Sequence, residues 1–406
     1  MRFCMVTTFY PPYHFGGDGI FVRALARALV SQGHHVDVVH CEDAYRLRCR
    51  EQPANQADHD GIVVHRLRSP FGLLSPLLTQ QTGRPGLKAR ELGAILDRDF
   101  DVVNFHNISL IGGPGVLALS KAAVTLYTLH EHWLLCPTHI FWKNRSHACD
   151  RMECFRCCLR SQIPPQLWRY TNLIERSLKN VDGLLAPSRY TAERHREVGL
   201  TVPIHVLPLF SDLASHIPID TNAVDRPYFL YVGRVTASKG ITVLLNDFLS
   251  IPNYDLVIVG DGDLRAALQR QYAQSPHIRF LGPVSHDKLI PLYQRATALI
   301  LPSLAPESFG LSVVESFACG TPAIVRAAGG NREAIDITGG GFVYETREQL
   351  YQALAAVVGD ARLRETLGKR ARLGYEQHYS EERYMGAYLE LISAIRQREH
   401  APPVIE

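Results

Sequence analysis

Apolar positions fall into short β-branched runs that alternate with stretches of helical period along most of the chain. RFCMVTTF predicts a first strand. GIFVRALARALVSQG predicts a helix, with Phe21, Leu25, Ala28 and Leu29 on one face, Arg23 and Arg27 off it, and Gly33 as its stop. HVDVVH, GIVVHRL, DVVNFH, AVTLYTLH, DGLLAPS and IHVLPL read as further strands. Strands that alternate with helices imply a parallel sheet covered by helices. Residues 208–227 carry three prolines and little periodicity and read as a linker. The pattern then restarts at PYFLYVGR and runs through YDLVIVG, HIRFLG, TALILPS and PAIVR, with helices between. The fold class is therefore α/β, with two Rossmann-like, doubly wound domains facing each other across a cleft. The expected division is 1–207, then 208–380, then a helix over 381–406 that crosses back to the first domain.

Length agrees with two domains: 406 residues exceed one ordinary domain. Hydrophobic residues at 46% and charged residues at 20% fit a soluble globular enzyme. A net charge of +3 gives no nucleic-acid footprint but leaves room for a local anion site. The N-terminal MRFCMVTTFYPP is not patterned as a signal peptide, and no apolar run reaches a membrane span. The expectation is a cytoplasmic protein, with peripheral contact at the inner membrane face left open.

Chemistry concentrates where strands end. PESFGLSVVE places Glu307 and Glu315 eight positions apart, just after the apolar run TALILPS. Ligands in parallel sheets bind beyond the carboxyl ends of the strands. Ser308, Phe309 and Gly310 form a turn that opens a helix at Leu311, and the first free N–H groups of that helix suit an anion. Two acids flanking such a helix start fit a nucleotide sugar, with diphosphate on the N–H groups and a hydroxyl-rich ring near each acid. Arg234 and Lys239 in YVGRVTASKG follow the first strand of the second half and can clamp a diphosphate. Gly16 and Gly17 in FYPPYHFGGDG allow close backbone approach before a helix. Solvated surface charges are the competing reading for both the acids and the cations.

Together these residues resemble glycosyltransferase family 4, the retaining group with the GT-B fold. The carriers are ESFGLSVVE, GR…SKG, VGDGD, FLGPV, FACGTPAIVRAAGGNREAI and the early FGGDGIFVRALARALVSQGHHVDVV. The resemblance spans nearly the whole chain. It implies a donor-binding second domain and an acceptor-binding first domain. By family role Arg234 and Lys239 bind the diphosphate, with Phe309, Gly310 and Leu311 at the helix start. Glu315 holds the ribose, Glu307 contacts the donor sugar, and Gly16 and Gly17 approach the donor phosphate or the acceptor. His130 in YTLHEHW matches the family histidine near the donor sugar. The residue after it is Glu131 where many relatives have Asp, which leaves the role of Glu131 open. The donor is a nucleotide-diphosphate sugar, with UDP or GDP as the base carrier. The acceptor is a sugar, a lipid-linked glycan or a small molecule. Catalysis needs no metal in this reading, and the Asp261-Gly-Asp263 pair belongs to the family's VGDG turn. The alternatives are a catalytically degenerate nucleotide-sugar-binding module and a GT-B epimerase or phosphorylase.

Five of the nine cysteines lie between Cys136 and Cys158, in an insert over about 136–160. Cys136, Cys149, Cys154 and Cys157 are spaced for a closed structural zinc site, and some relatives carry a similar cluster. An iron–sulfur cluster and plain buried thiols are the other readings. Aromatics and arginines in the same insert suit either an acceptor sugar or a solvated basic face.

Overall fold

The computed structural model describes residues 1–47, 49, 53, 61–211, 213 and 226–400. The chain divides into two units, one of residues 1–139, 153–208 and 381–406, the other of 140–152 and 209–380. Most of the expected linker at 208–227 lies outside the described residues.

The first unit begins β1 (Arg2–Val6), α1 (Gly17–Ser31), β2 (His35–Cys41), α2 (Glu42–Arg46), β3 (Ile62–Leu67), α3 (Leu74–Thr82), α4 (Ala89–Leu96), β4 (Val102–Phe105) and β5 (Val124–Thr128). A small hairpin, β6 (Trp142–Lys143) and β7 (His147–Ala148), groups with the second unit. The first unit resumes with α5 (Cys154–Arg160), α6 (Leu173–Leu178), β8 (Gly183–Ala186), α7 (Arg189–Arg196) and β9 (Ile204–Val206). Its seven strands pair in parallel in the order β3-β2-β1-β4-β5-β8-β9. The central strands VVNF and VTLYT are buried along their whole length, as near-continuous apolar runs in a doubly covered sheet must be.

The second unit runs β10 (Tyr228–Val232), α8 (Ile241–Leu249), β11 (Asp255–Val259), α9 (Arg265–Gln271), β12 (Ile278–Gly282), α10 (His286–Arg295), β13 (Ala298–Leu301), α11 (Leu311–Ala318), β14 (Ala323–Arg326), α12 (Asn331–Thr338), β15 (Gly341–Tyr344), α13 (Arg347–Gly359) and α14 (Ala361–Gly374). Its six strands are parallel in the order β12-β11-β10-β13-β14-β15. The edge strand β15 escapes the sequence reading because it opens on GGG and is only half-buried. A last helix, α15 (Glu381–His400), groups with the first unit. Asn104 Nδ2 on β4 donates to the Tyr388 hydroxyl at 3.2 Å, and Tyr384 sets its ring edge-on to Phe21 of α1 at 5.4 Å.

In each sheet the strand order reverses direction once beside the first strand, between β1 and β4 and between β10 and β13. Chains leaving a parallel sheet on opposite sides open a crevice at such a point. The candidate chemistry of both units lies there.

Candidate functional site

At the β10–β13 switch point the loop after β10 carries Arg234 and Lys239, and the loop after β13 carries Glu307. Lys239 Nζ meets Glu307 Oε1 at 2.5 Å, with both side chains largely buried. Ser303 Oγ donates to the same carboxylate oxygen at 2.6 Å. Two tight glycine turns hold this geometry. Gly240, directly after Lys239, has φ +72°, and a Cβ there would lie 2.0 Å from the Pro302 carbonyl oxygen. Gly329 has φ +73°, and a Cβ would lie 2.3 Å from the Glu307 carbonyl oxygen. That carbonyl accepts the Gly330 N–H at 2.8 Å, which pins Glu307 to the GG turn before α12.

Arg234 is exposed nearby, and its carbonyl accepts the buried Tyr231 hydroxyl at 2.6 Å. Burial raises the Tyr231 pKa well above that of an ordinary phenol, Glu307 adds to the rise, and Arg234 opposes it. Helix α11 starts after Gly310 with no side-chain cap, so its first N–H groups are available to an anion. Gly310 itself has φ −101°, so its role is room: a Cβ would sit 2.8 Å from Asn331 Oδ1. Phe309 packs partly against the core of the unit. Glu315, one turn into α11, accepts the buried Tyr293 hydroxyl at 2.7 Å. Burial pushes the Tyr293 hydroxyl well above its usual range, and the Glu315 charge pushes it further.

Several members of this site escape the sequence reading. Ser303 and Tyr293 reach the two acids through hydrogen bonds that no periodicity encodes. Asn331 is 1% exposed, and neither atom of its amide has a partner among the described residues. Its place after Gly329-Gly330 was its only signal.

At the β1–β4 switch point the groups are of another kind. Gly16 caps α1 in an extended conformation, and a Cβ on it would touch only Asp18 Oδ1 at 3.6 Å, so space above it is open. Gly17 is the first residue of α1. Asp18 Oδ2 accepts the Asn107 amide at 3.1 Å. His130, after β5, lies 2.9 Å from His106 Nδ1 through its Nε2, and the two rings stack. His106 Nε2 faces Met5 Sδ at 3.5 Å. A thioether only accepts, so His106 carries its proton on Nε2 and takes the His130 Nε2–H on Nδ1. His130 then keeps its lone pair on Nδ1. Burial holds both imidazoles below the ordinary histidine pKa; for His130, Asp18 and Glu131 partly oppose it. Glu131 pairs with His139 at 2.6 Å. His106 and Asn107 follow strand β4 directly, so the strand-end rule applied to the residues after TALILPS would have found them.

The cysteine expectation needs correction. Cys154, Cys157 and Cys158 share one turn of α5 and, with Cys136, act on one another electrostatically. Cys149, in the second unit, turns its Sγ to the Arg151 carbonyl at 3.5 Å. Among the described residues no set of three or more Cys, His, Asp or Glu is placed to hold a metal ion. Cys136, Cys149, Cys154 and Cys157 are therefore not a formed zinc site. Asp261 is likewise committed, paired with Arg265 at 2.8 Å.

Two doubly wound sheets, one ending in an ion pair beside an uncapped helix and the other in neutral imidazoles, define a two-domain Rossmann-like transferase scaffold. Residues 15–215 match the family model Glycosyltransferase Family 4, and residues 216–374 match Glycosyl transferases group 1. The chain belongs to this glycosyltransferase family. An uncharacterised glycosyltransferase of Methanocaldococcus jannaschii is 25% identical over 94% of this chain and 95% of its own. Among solved structures, sucrose-phosphate synthase from Thermosynechococcus elongatus superposes with a TM-score of 0.74 at 21% identity, covering 97% of this chain and 100% of its own. HepE from Anabaena, in complex with UDP and glucose, gives 0.69 at 17% identity over the same shares. These two likenesses establish the GT-B fold. Among the described residues no helix is long and apolar enough to cross a membrane.

Proposed function

We propose that the protein is a retaining glycosyltransferase that moves a sugar from a nucleotide-diphosphate sugar to an acceptor without a catalytic metal. The carrying observation is the Lys239–Glu307 pair, braced by Ser303, beside the uncapped start of α11. In this reading residues 208–380 bind the donor and residues 1–207 the acceptor. Breaking a glycosyl–diphosphate bond puts positive charge on the sugar and negative charge on the leaving phosphate. Lys239, Arg234 and the N–H groups after Gly310 stabilise the phosphate, with Phe309 and Leu311 shaping that turn. Glu315 takes the ribose hydroxyls, oriented by Tyr293. Glu307 faces the donor sugar. Tied to Lys239 and Ser303, its carboxylate acts electrostatically, and the leaving phosphate takes the acceptor proton on the same face. Gly16 and Gly17 admit the donor phosphate or the acceptor, and His130 Nδ1 accepts from a sugar hydroxyl.

HepE binds UDP, which supports a uridine or similar pyrimidine carrier here. The cysteines of α5 carry no step, and no structural zinc is part of this reading. The protein is assigned to the cytoplasm, touching the inner membrane face when its acceptor is lipid-linked.

A thermal-shift panel of UDP, GDP, ADP and dTDP, with and without magnesium, tests this. Ligand at a hundred times its Kd stabilises by about 2.7 kcal/mol. A shift with one nucleotide, indifferent to magnesium, is expected. No shift with any would overturn the donor site.

A further inference from the structure

A cavity of about 770 Å³ lies wholly within the first unit. Its walls are Tyr13 from the loop after β1, Asp43, Tyr45 and Arg46 from α2, and Arg68 and Ser69 after β3. The loop that supplies Tyr13 runs on through Phe15 to Gly16. The Phe15 ring stacks on Tyr45 at 4.7 Å, and Tyr13 meets Tyr45 edge-on at 5.5 Å. The cavity thus shares a wall with the glycine loop of the β1–β4 switch point.

Its charge is unbalanced toward the positive. Glu42 is committed to Arg46 at 2.5 Å, and Asp43 accepts the Ser69 N–H at 2.7 Å. Arg68 is exposed and has no carboxylate partner among the described residues. Arg66 stands 5.9 Å from the centre of the Tyr13 ring. Behind α2, the buried Lys88 donates to Ser75 Oγ at 2.6 Å, within reach of the Asp43 charge.

The neighbouring helix is turned the wrong way for a water-facing surface. Helix α3 buries Ser75 and Thr79, both 0% exposed, and presents Leu74, Leu77 and Leu78 to the outside. Leu74 is 63% exposed and Phe71, just before it, 60%. Soluble helices place apolar side chains inward, and a contiguous exposed apolar patch marks a binding surface. Leu73, which lines the cavity, joins the patch to the arginines.

Building on the transferase reading, we propose that this cavity is an acceptor subsite for a phosphoryl group carried on an apolar chain. The phosphoryl group sits on Arg68, whose planar guanidinium suits its oxygens, while Arg46 stays paired with Glu42 in the wall. The chain lies along Phe71, Leu74, Leu77 and Leu78. The acceptor is then a lipid phosphate, and α3 is the face that meets the lipid.

Titration calorimetry of the full-length protein with farnesyl phosphate, farnesol and glucose 1-phosphate tests this, with UDP as the control for the donor unit. Farnesyl phosphate is expected to bind more tightly than either other probe. Arg68→Ala is expected to weaken it about tenfold. The exposed triple change Leu74→Ser, Leu77→Ser, Leu78→Ser is expected to weaken it by a similar factor. Neither variant should alter UDP binding. Absence of farnesyl phosphate binding, or binding indifferent to Arg68→Ala, would overturn the subsite. Equal binding of glucose 1-phosphate, indifferent to the leucine changes, would overturn the lipid assignment. UDP binding that persists while farnesyl phosphate fails defeats this inference alone, whereas failure of every nucleotide defeats the transferase reading itself.

Discussion

At the switch point of the second sheet the opposed side chains are ions, Lys239 against Glu307, with a serine hydroxyl between strand end and carboxylate. At the switch point of the first sheet they are two imidazoles kept neutral by burial, within reach of the carboxylates of Asp18 and Glu131. The backbone plan is the same in both places. What differs is the charge each crevice carries. An ion pair can reorganise around an incoming diphosphate, trading one charge partner for another. Neutral rings with fixed tautomers suit hydroxyl groups, which bring hydrogen bonds and no net charge. A shared fold thus leaves the chemistry to a few residues at the strand ends.

The contrast can be broken most directly at Lys239. Lys239→Ala should lower sugar transfer about 100- to 1,000-fold, the usual effect of losing one donor to a developing oxyanion. His130→Ala should cost about tenfold. Steady-state rates on the two variants decide the matter, and equal losses would erase the distinction drawn here.

Next in size is the scaffold behind the ions. Gly329→Ala forces a side chain into a left-handed conformation against the Glu307 backbone. Urea unfolding should show a loss of about 3 kcal/mol, and a loss below about 1 kcal/mol would mean the turn relaxes freely.

Acid should separate the two units. Burial lowers His40 and His132 to about 3 and His195 to about 4, all in the first unit. Their unfolded forms take up protons near pH 6.5 while the folded forms do not. The stability they contribute is complete above pH 6.5 and drains as pH falls toward 4, by about 1.4 kcal/mol per pH unit for each ring. Calorimetry from pH 7.5 to 4.5 should move the first unit's transition down and leave the second's nearly still. His40→Phe should flatten that slope, because its ring nitrogens have no partner among the described residues. Parallel shifts of both transitions would contradict it.

The smallest effect is expected at Glu315. Tyr293→Phe removes one hydrogen bond and should weaken the preferred nucleotide about fivefold. Binding curves on the wild type and the variant measure it, and an unchanged Kd would detach Tyr293 from the site.

The βα alternation and the strand-end glutamates were legible because apolar runs and glycine turns are local. The crevice that gathers Glu307 and Lys239 follows from strand order, which sequence pattern implies only through the fold. Ser303 and Tyr293 were not legible, since a serine at a strand end and a tyrosine on a helix have many ordinary uses. The cysteines show the opposite failure. Their spacing is a strong local sign, yet the i, i+3, i+4 geometry of α5 collects Cys154, Cys157 and Cys158, and among the described residues no metal-holding set results. Helix α3 went unread: Lys88 draws Ser75 inward, and the leucines beside it face outward.

Helix α15 gives the chain a birth order. The first unit needs residues from before and after the second unit, and Tyr388 reaches Asn104 only once some 280 intervening residues have been made. A ribosome that has finished β1 through β9 holds a sheet with one flank uncovered, while the second unit's long run emerges and can close. The half that is translated first is the last to be complete, and a chain stalled short of α15 leaves Phe3, Phe21 and Asn104 without the tyrosines that meet them.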